Sequence, residues 1–213
     1  MGPGQLVSTL RSHPVMAIVR GTSAQASLDV GLVLLEEGIR LVEVTLTTPG
    51  ALDTVAALRA AGPDTAFVGV GTVLTVDDVA SVVDAGGDFV VTPAVTPAVA
   101  ESARRGLPCA AGAFTATESY AAWSAGAEVV KLFPASVGGP GHLKALRDPF
   151  PDIPFMAVGG VGISEARAYL TAGAVGAGVG GPLVGDAASG GSLDALRGRA
   201  RAFADWAADA GSR

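Results

Sequence analysis

Short apolar runs rich in Val, Ile and Ala alternate with longer Ala/Leu-rich stretches from one end of the chain to the other. A short apolar run bounded by Gly, Pro or Asp reads as a strand covered on both faces. A longer stretch with apolar residues three and four apart reads as an amphipathic helix. The pattern predicts strands over 15–20, 41–46, 66–70, 89–92, 109–111, 129–132, 155–158 and 176–179. It predicts helices over 24–37, 50–61, 76–85, 96–105, 117–125, 142–146 and 164–172, and a last amphipathic helix over 192–209. Thr75 before Asp77-Asp78, Thr115 before Thr117-Glu118 and Ser164 before Glu165 are starting signals. A side-chain oxygen at such a place accepts from backbone N–H groups that have no carbonyl inside the helix. Gly38, Gly62, Gly86, Gly106, Gly126 and Gly173 stand where helices end, and glycine adopts the left-handed conformation that stops the spiral.

A strand–helix unit thus repeats eight times, at intervals of about twenty to twenty-five residues, with no linker or low-complexity segment between repeats. Eight such units predict an α/β fold, a single (β/α)8 TIM barrel spanning 1–213, in preference to an open doubly wound sheet. The last helix is expected outside the ring, with Arg197, Arg199 and Arg201 on its solvated face.

Composition supports this picture. Hydrophobic residues make up 49% of the 213 and charged residues 16%, which suits strands buried on both faces and leaves room for an apolar subunit interface. The net charge of −6 argues against nucleic acid or an anionic membrane as partner, so an anionic substrate must be held by local groups. Cys109 is the only cysteine and follows Pro108 in an apolar stretch. It is read as a core residue, and the absence of a second cysteine fits a reducing cytoplasm. No charged-then-apolar leader opens the sequence and no long apolar run crosses it, so neither export nor membrane insertion is expected.

Catalytic residues of such barrels sit at the carboxyl ends of the strands or just beyond. The chain has two lysines, Lys131 and Lys144, against twelve arginines. Lys131 ends the sixth apolar run, where it reads either as a lysine snorkelling at a strand end or as an amine held at the barrel mouth. Partial desolvation lowers the pKa of such an amine until its neutral form can attack a carbonyl, which arginine cannot do. Lys144, on a helix after Pro140, is read as surface charge. Glu43 lies between Val42 and Val44, and alternation turns it opposite to them, toward the interior. A buried carboxylate needs a partner, and Arg20 and Lys131 are the cations at strand ends. Two readings stay open: a structural ion pair filling the barrel, or a general acid/base beside an amine nucleophile. Gly159-Gly160 and Gly180-Gly181 end the seventh and eighth strands, where backbone N–H groups and a short helix begun by Pro182 suit a phosphate. His13 and His142 have no carboxylate or cysteine clustered near them in sequence and neither ends a strand, which leaves metal-dependent chemistry and Ser–His–acid hydrolysis without their groups.

These positions fall within an ordered set of motifs: Ala17-Ile-Val-Arg-Gly21, Val42-Glu-Val-Thr-Leu46, Gly69-Val-Gly-Thr-Val-Leu74, Val91-Thr-Pro93, Thr115-Ala-Thr-Glu118, Val130-Lys-Leu-Phe-Pro134 and Val158-Gly-Gly-Val161. With them the chain resembles the 2-keto-3-deoxy-6-phosphogluconate (KDPG) aldolase family, which also includes phosphogalactonate (KDPGal) and 4-hydroxy-2-oxoglutarate aldolases. The resemblance runs from about Pro14 to Val184. It implies a Schiff-base aldolase without metal or other cofactor, releasing pyruvate and an aldehyde such as glyceraldehyde 3-phosphate from a small 2-keto acid. It also suggests a homotrimer. By the same resemblance Lys131 forms the imine, Glu43 moves protons through a water, and Thr72 holds the pyruvyl carboxylate. Pro93 and Phe133 line the enamine pocket, and Gly159, Gly160, Gly180 and Gly181 cradle the distal phosphate. Four departures touch the choice of substrate or the pocket. Thr47 replaces an arginine, with Arg20 as the available substitute. Val158 replaces a threonine, as in phosphogalactonate-type members. Gly181 replaces a serine, and Ala111 a frequent proline. The rivals are a phosphosugar epimerase or synthase-type barrel, which needs no Lys131–Glu43 pair, and a non-catalytic sugar-acid-binding barrel.

Overall fold

A computed structural model describes residues 1–211. Eight parallel strands close into a barrel in sequence order: β1 (Val15–Val19), β2 (Leu41–Thr45), β3 (Phe67–Gly71), β4 (Val90–Val91), β5 (Cys109–Ala113), β6 (Val129–Leu132), β7 (Phe155–Val158) and β8 (Gly176–Val179). β8 pairs with β1, Met16 opposite Gly178, so the ring has no free edge. Helices α2 (Ala24–Glu36), α3 (Ala51–Ala61), α4 (Val76–Asp84), α5 (Pro97–Arg104), α6 (Ala116–Ser124), α7 (Ala135–Arg147) and α8 (Ile163–Thr171) follow the first seven strands. The eighth is followed by a short helix begun by Gly181-Pro182, then by a long terminal helix. The TIM barrel expected from the periodicity is the fold observed.

Alternation along the strands sorts the core into two shells. Val42, Val44, Val130 and Leu132 point outward to the helices, while Met16, Leu41, Phe89, Val91, Val129 and Met156 fill the barrel. Each inward layer is completed by residues two apart on a strand. Glu43 stands two beyond Leu41, and Lys131 two beyond Val129. The period of two therefore carries both charged side chains inward, above an apolar plug.

An additional helix, α1 (Gln5–Ser12), forms the floor of that plug. Leu6 and Leu10 are fully buried in the barrel cluster, and the Val7 N–H donates to Glu128 Oε1 at 2.9 Å. Gly176 admits it, because a Cβ there would lie 2.8 Å from Leu10 Cδ2. The pattern left this stretch unassigned: Gly2, Pro3 and Gly4 read as a breaker, and the only apolar spacing is Leu6–Leu10 with Val7.

Other differences are local. α7 begins at Ala135, not at 142, because one turn forms before Gly139 (φ 67°) breaks the spiral and Pro140 restarts it. Thr75 and Thr115 cap as expected, each paired with an acidic residue three on. Ser164 does not cap. The N-cap is Gly162, whose N–H donates to Glu165 Oε2 at 3.0 Å. Gly62 ends α3 in an extended conformation (φ −78°), whereas the other five terminal glycines have positive φ. In the last helix, α10 (Leu193–Gly211), the arginines are not a free solvated face. Arg197 bridges Glu36 and Glu37 at 2.7 and 2.9 Å, and Arg201 Nε meets Glu37 Oε2 at 2.6 Å. Arg199 turns to backbone carbonyls instead.

Candidate active site

The carboxyl ends of the strands surround a cavity of about 300 Å³. Arg20, Glu43, Thr72, Pro93, Lys131, Phe133, Gly159, Gly160, Gly180 and Gly181 all line it, so every candidate residue read from the sequence is brought to one place. Val158, marked as a departure, is on the same wall and only 4% exposed.

Glu43 is 2% exposed and Lys131 8%. They form no direct ion pair among the described residues, and Glu43 Oε2 is buried without a hydrogen-bond partner from the protein. Desolvation by burial raises the Glu43 carboxyl above the ordinary carboxylate range, against the downward pull of the Lys131 and Arg20 charges. A simple core ion pair would have closed and satisfied its oxygens. What is found is a carboxyl of raised pKa with a free oxygen, close to an amine. A carboxyl whose pKa is raised by burial holds a proton more readily than an ordinary one and can both give and take it.

Neighbouring glycines make room for these side chains. A Cβ on Gly71 would overlap Glu43 Oε1, so the carboxylate lies in the space of a missing side chain on β3. A Cβ on Gly112 would overlap the Pro93 carbonyl, which lets the segment after β4 fold over the mouth. The Lys131 Nζ lies 5.2 Å from the centroid of the Phe133 ring, a cation–π approach that holds the ammonium beside an apolar face.

Thr72 is the one non-glycine residue with positive φ among the described residues (φ 61°). For a β-branched residue that conformation costs about 1–3 kcal/mol. The flanking ladder enforces it: Leu46 N donates to Gly71 O at 2.8 Å, and Val73 N to Val91 O at 3.2 Å. The strain points the Thr72 region at the cavity, and no sequence signal announces it.

On the opposite wall, Gly159 and Gly160 have φ of 100° and 71°, and the Gly159 carbonyl accepts from Ser136 N at 3.0 Å. Beyond β8 the short helix α9 (Gly181–Val184) has Gly180 as its N-cap and Pro182 in its first turn. Its first amides cannot find carbonyls inside the helix. Nothing lies within 4 Å of a Cβ built on Gly181, so crowding does not demand a glycine there. No group of three or more His, Cys, Asp or Glu side chains is arranged to hold a metal among the described residues. His142 instead shares a 2.7 Å hydrogen bond with the Phe114 carbonyl, packing α7 on the end of β5. Cys109 is buried, its thiol pushed up to about 12 by desolvation, and takes no part in the cavity.

The family model for KDPG and KHG aldolases matches residues 6–195. The chain belongs to that family. A probable 2-dehydro-3-deoxy-6-phosphogalactonate aldolase of Rhizobium meliloti is 36% identical over 92% of this chain and 91% of its own. A solved structure described as native KDPGal superposes with a TM-score of 0.86 at 32% identity, covering 94% of this chain and 97% of the other. A KDPG aldolase from Legionella pneumophila, solved with pyruvate captured as a covalent carbinolamine, has a TM-score of 0.79 at 25% identity, over 95% and 96% of the two chains. The KDPG aldolase reading made from the motifs is borne out, and with it the class of aldehyde-lyase. Neither the epimerase or synthase barrel nor the non-catalytic barrel is favoured. No helix among the described residues is long and apolar enough to cross a membrane.

Proposed function

We propose that the protein is a Schiff-base aldolase that cleaves a 2-keto-3-deoxy-6-phospho sugar acid, KDPG or its galactonate epimer, to pyruvate and glyceraldehyde 3-phosphate without a metal. The observation that carries the reading is the buried pair at one mouth: Lys131 beside a Glu43 carboxyl that burial keeps basic and that lacks a direct ion-pair partner. The covalent carbinolamine in the Legionella relative supports an amine nucleophile.

The steps follow from the groups present. The neutral Lys131 amine adds to the substrate C2 carbonyl, giving a carbinolamine, and water leaves to give a protonated imine. A base takes the proton of the C4 hydroxyl, the C3–C4 bonding pair moves into the imine, and C4 departs as the aldehyde. The remaining enamine takes a proton at C3, and water then releases pyruvate and restores the amine. Glu43, through a water, is the proton carrier for these exchanges. Thr72 holds the pyruvyl carboxylate, Pro93 and Phe133 flank the enamine, and Arg20 supplies a cation for a carboxylate or hydroxyl of the substrate. The amides of Gly159, Gly160, Gly180 and Gly181 receive the distal phosphate. The protein's assembly as a homotrimer in the cytoplasm belongs to the same reading.

The cleavage assay tests it. With a chelator present, the protein should release pyruvate and glyceraldehyde 3-phosphate in equal amounts from at least one epimer; no cleavage of either refutes the proposal. Val158 leaves the wall without a hydroxyl where a threonine would offer one. Val158→Thr should therefore shift the kcat/KM ratio of the two epimers by about tenfold toward the gluconate form. An unchanged ratio would remove this position from substrate choice.

A further inference from the structure

Phe133 flanks Lys131 in the cavity, yet it is 41% exposed, so burial does not fix its ring. The ring lies between the Lys131 Nζ, 5.2 Å from its centroid, and Gly159, where a Cβ would come within 3.2 Å of its Cδ2 and Cε2. Its place is set by the backbone that follows β6, and that backbone is weakly held by its own helix. The first turn of α7 starts at Ala135 and is broken at Gly139. A single turn has too few internal hydrogen bonds to hold its own direction. Behind it, between α7 and α8, lies a second cavity of about 250 Å³, lined by Ala135, Ser136, Pro140, Val161, Ala168 and Tyr169. Packing on that side therefore leaves the turn room to move. Hydrogen bonds hold it instead: Ser136 N donates to the Gly159 carbonyl at 3.0 Å, and the Tyr169 hydroxyl on α8 donates to the Ala135 carbonyl at 2.6 Å. Tyr169 is 2% exposed, so its ring is fixed by the core while its hydroxyl reaches the turn.

We propose that Tyr169 is a positioning residue for the active-site amine: its hydroxyl holds the segment after β6 so that the Phe133 ring stays against Lys131. Tyr169 does not line the active-site cavity and acts through Phe133. With the ring in place, the amine meets an apolar face that excludes water on one side and attracts the positive charge of the ammonium and of the protonated imine. Without the hydroxyl, the buried Ala135 carbonyl loses its donor, the turn settles into the cavity behind it, and the ring leaves the amine. The inference rests on the assignment of the imine to Lys131 made above.

The test measures the rate at which pyruvate forms a borohydride-reducible imine on Lys131, in wild type, Tyr169→Phe, Phe133→Leu and the double variant. Tyr169→Phe, which removes only the hydroxyl oxygen, should slow imine formation about tenfold. Phe133→Leu should slow it by a similar factor. Adding Tyr169→Phe to Phe133→Leu should then change the rate by less than about twofold, because the ring through which the hydroxyl acts is already gone. Tyr169→Met carries the same comparison if the phenylalanine variant does not fold. An unchanged rate in Tyr169→Phe, or an equal slowing by it in the Phe133→Leu background, would show that the hydroxyl serves stability alone and overturn the inference. A wild type that forms no imine on Lys131 overturns it as well. The aldolase reading fails separately: a wild type that forms the imine, is slowed by Tyr169→Phe and cleaves neither epimer sinks that reading and leaves the role of Tyr169 standing.

Discussion

Glu43 and Lys131 are costly residues for a fold of this size, since each places an ionisable group where water is scarce. Replacing Glu43 by Gln keeps the shape and removes the proton carrier, so kcat should fall by about 10²–10⁴-fold while imine formation with pyruvate persists. A rate near that of wild type would assign the proton transfers elsewhere. The same variant reports the cost of burial. The folded Glu43 has a raised pKa, so the stability this group contributes is present below its unfolded value and is lost as pH rises through the folded one. Glu43→Gln does not titrate. Its melting temperature should match wild type at low pH and exceed it increasingly as pH rises; a gap that narrows with pH contradicts the burial argument. These two residues were legible because strand alternation is strict: a charge flanked by apolar residues whose side chains face the helices has one direction left to point. Thr72 was legible only through its motif, since nothing in a single threonine predicts φ of 61°. Arg199 was misread for a related reason. Two residues along a helix is a rotation of about 200°, so it faces away from Arg197 and Arg201, and its partners are carbonyls that no side-chain pattern reveals.

Among the elements, the strands were read within one or two residues because their runs are buried on both faces and bounded by Gly or Pro. α1 and the first turn of α7 were not. Both follow or contain Gly-Pro or Gly-Gly sequences, and both are held by tertiary contacts more than by propensity. α1 is the clearer case, because its apolar residues enter the barrel from below. Leu10→Ala should cost about 2–5 kcal/mol of stability, seen as a lower denaturant midpoint, while the trapping reaction at the opposite end of the barrel is retained. A loss below about 1 kcal/mol would mean that the floor of the barrel closes without α1.

For the molecule as a whole, closure of the ring was foreseeable from eight repeats, and the cavity follows from closure because Glu43 and Lys131 point inward from β2 and β6 while the other candidate residues begin the loops after their strands. Assembly was not readable from the pattern, which reports burial and not what covers an exposed residue. Leu74, Val76, Val95, Phe133 and Val137 are exposed on segments that follow β3, β4 and β6, at the same end of the barrel as the site. A homotrimer predicts a solution mass about three times 20.9 kDa, measured by light scattering; a protomer mass at working concentration would contradict it. The account as a whole depends on one amine. Incubation with pyruvate, reduction with borohydride and mass analysis of the peptides should yield a single reduced pyruvyl adduct, carried by Lys131 and absent from Lys131→Arg. An unmodified protein, or an adduct on Lys144 in its place, would contradict the account.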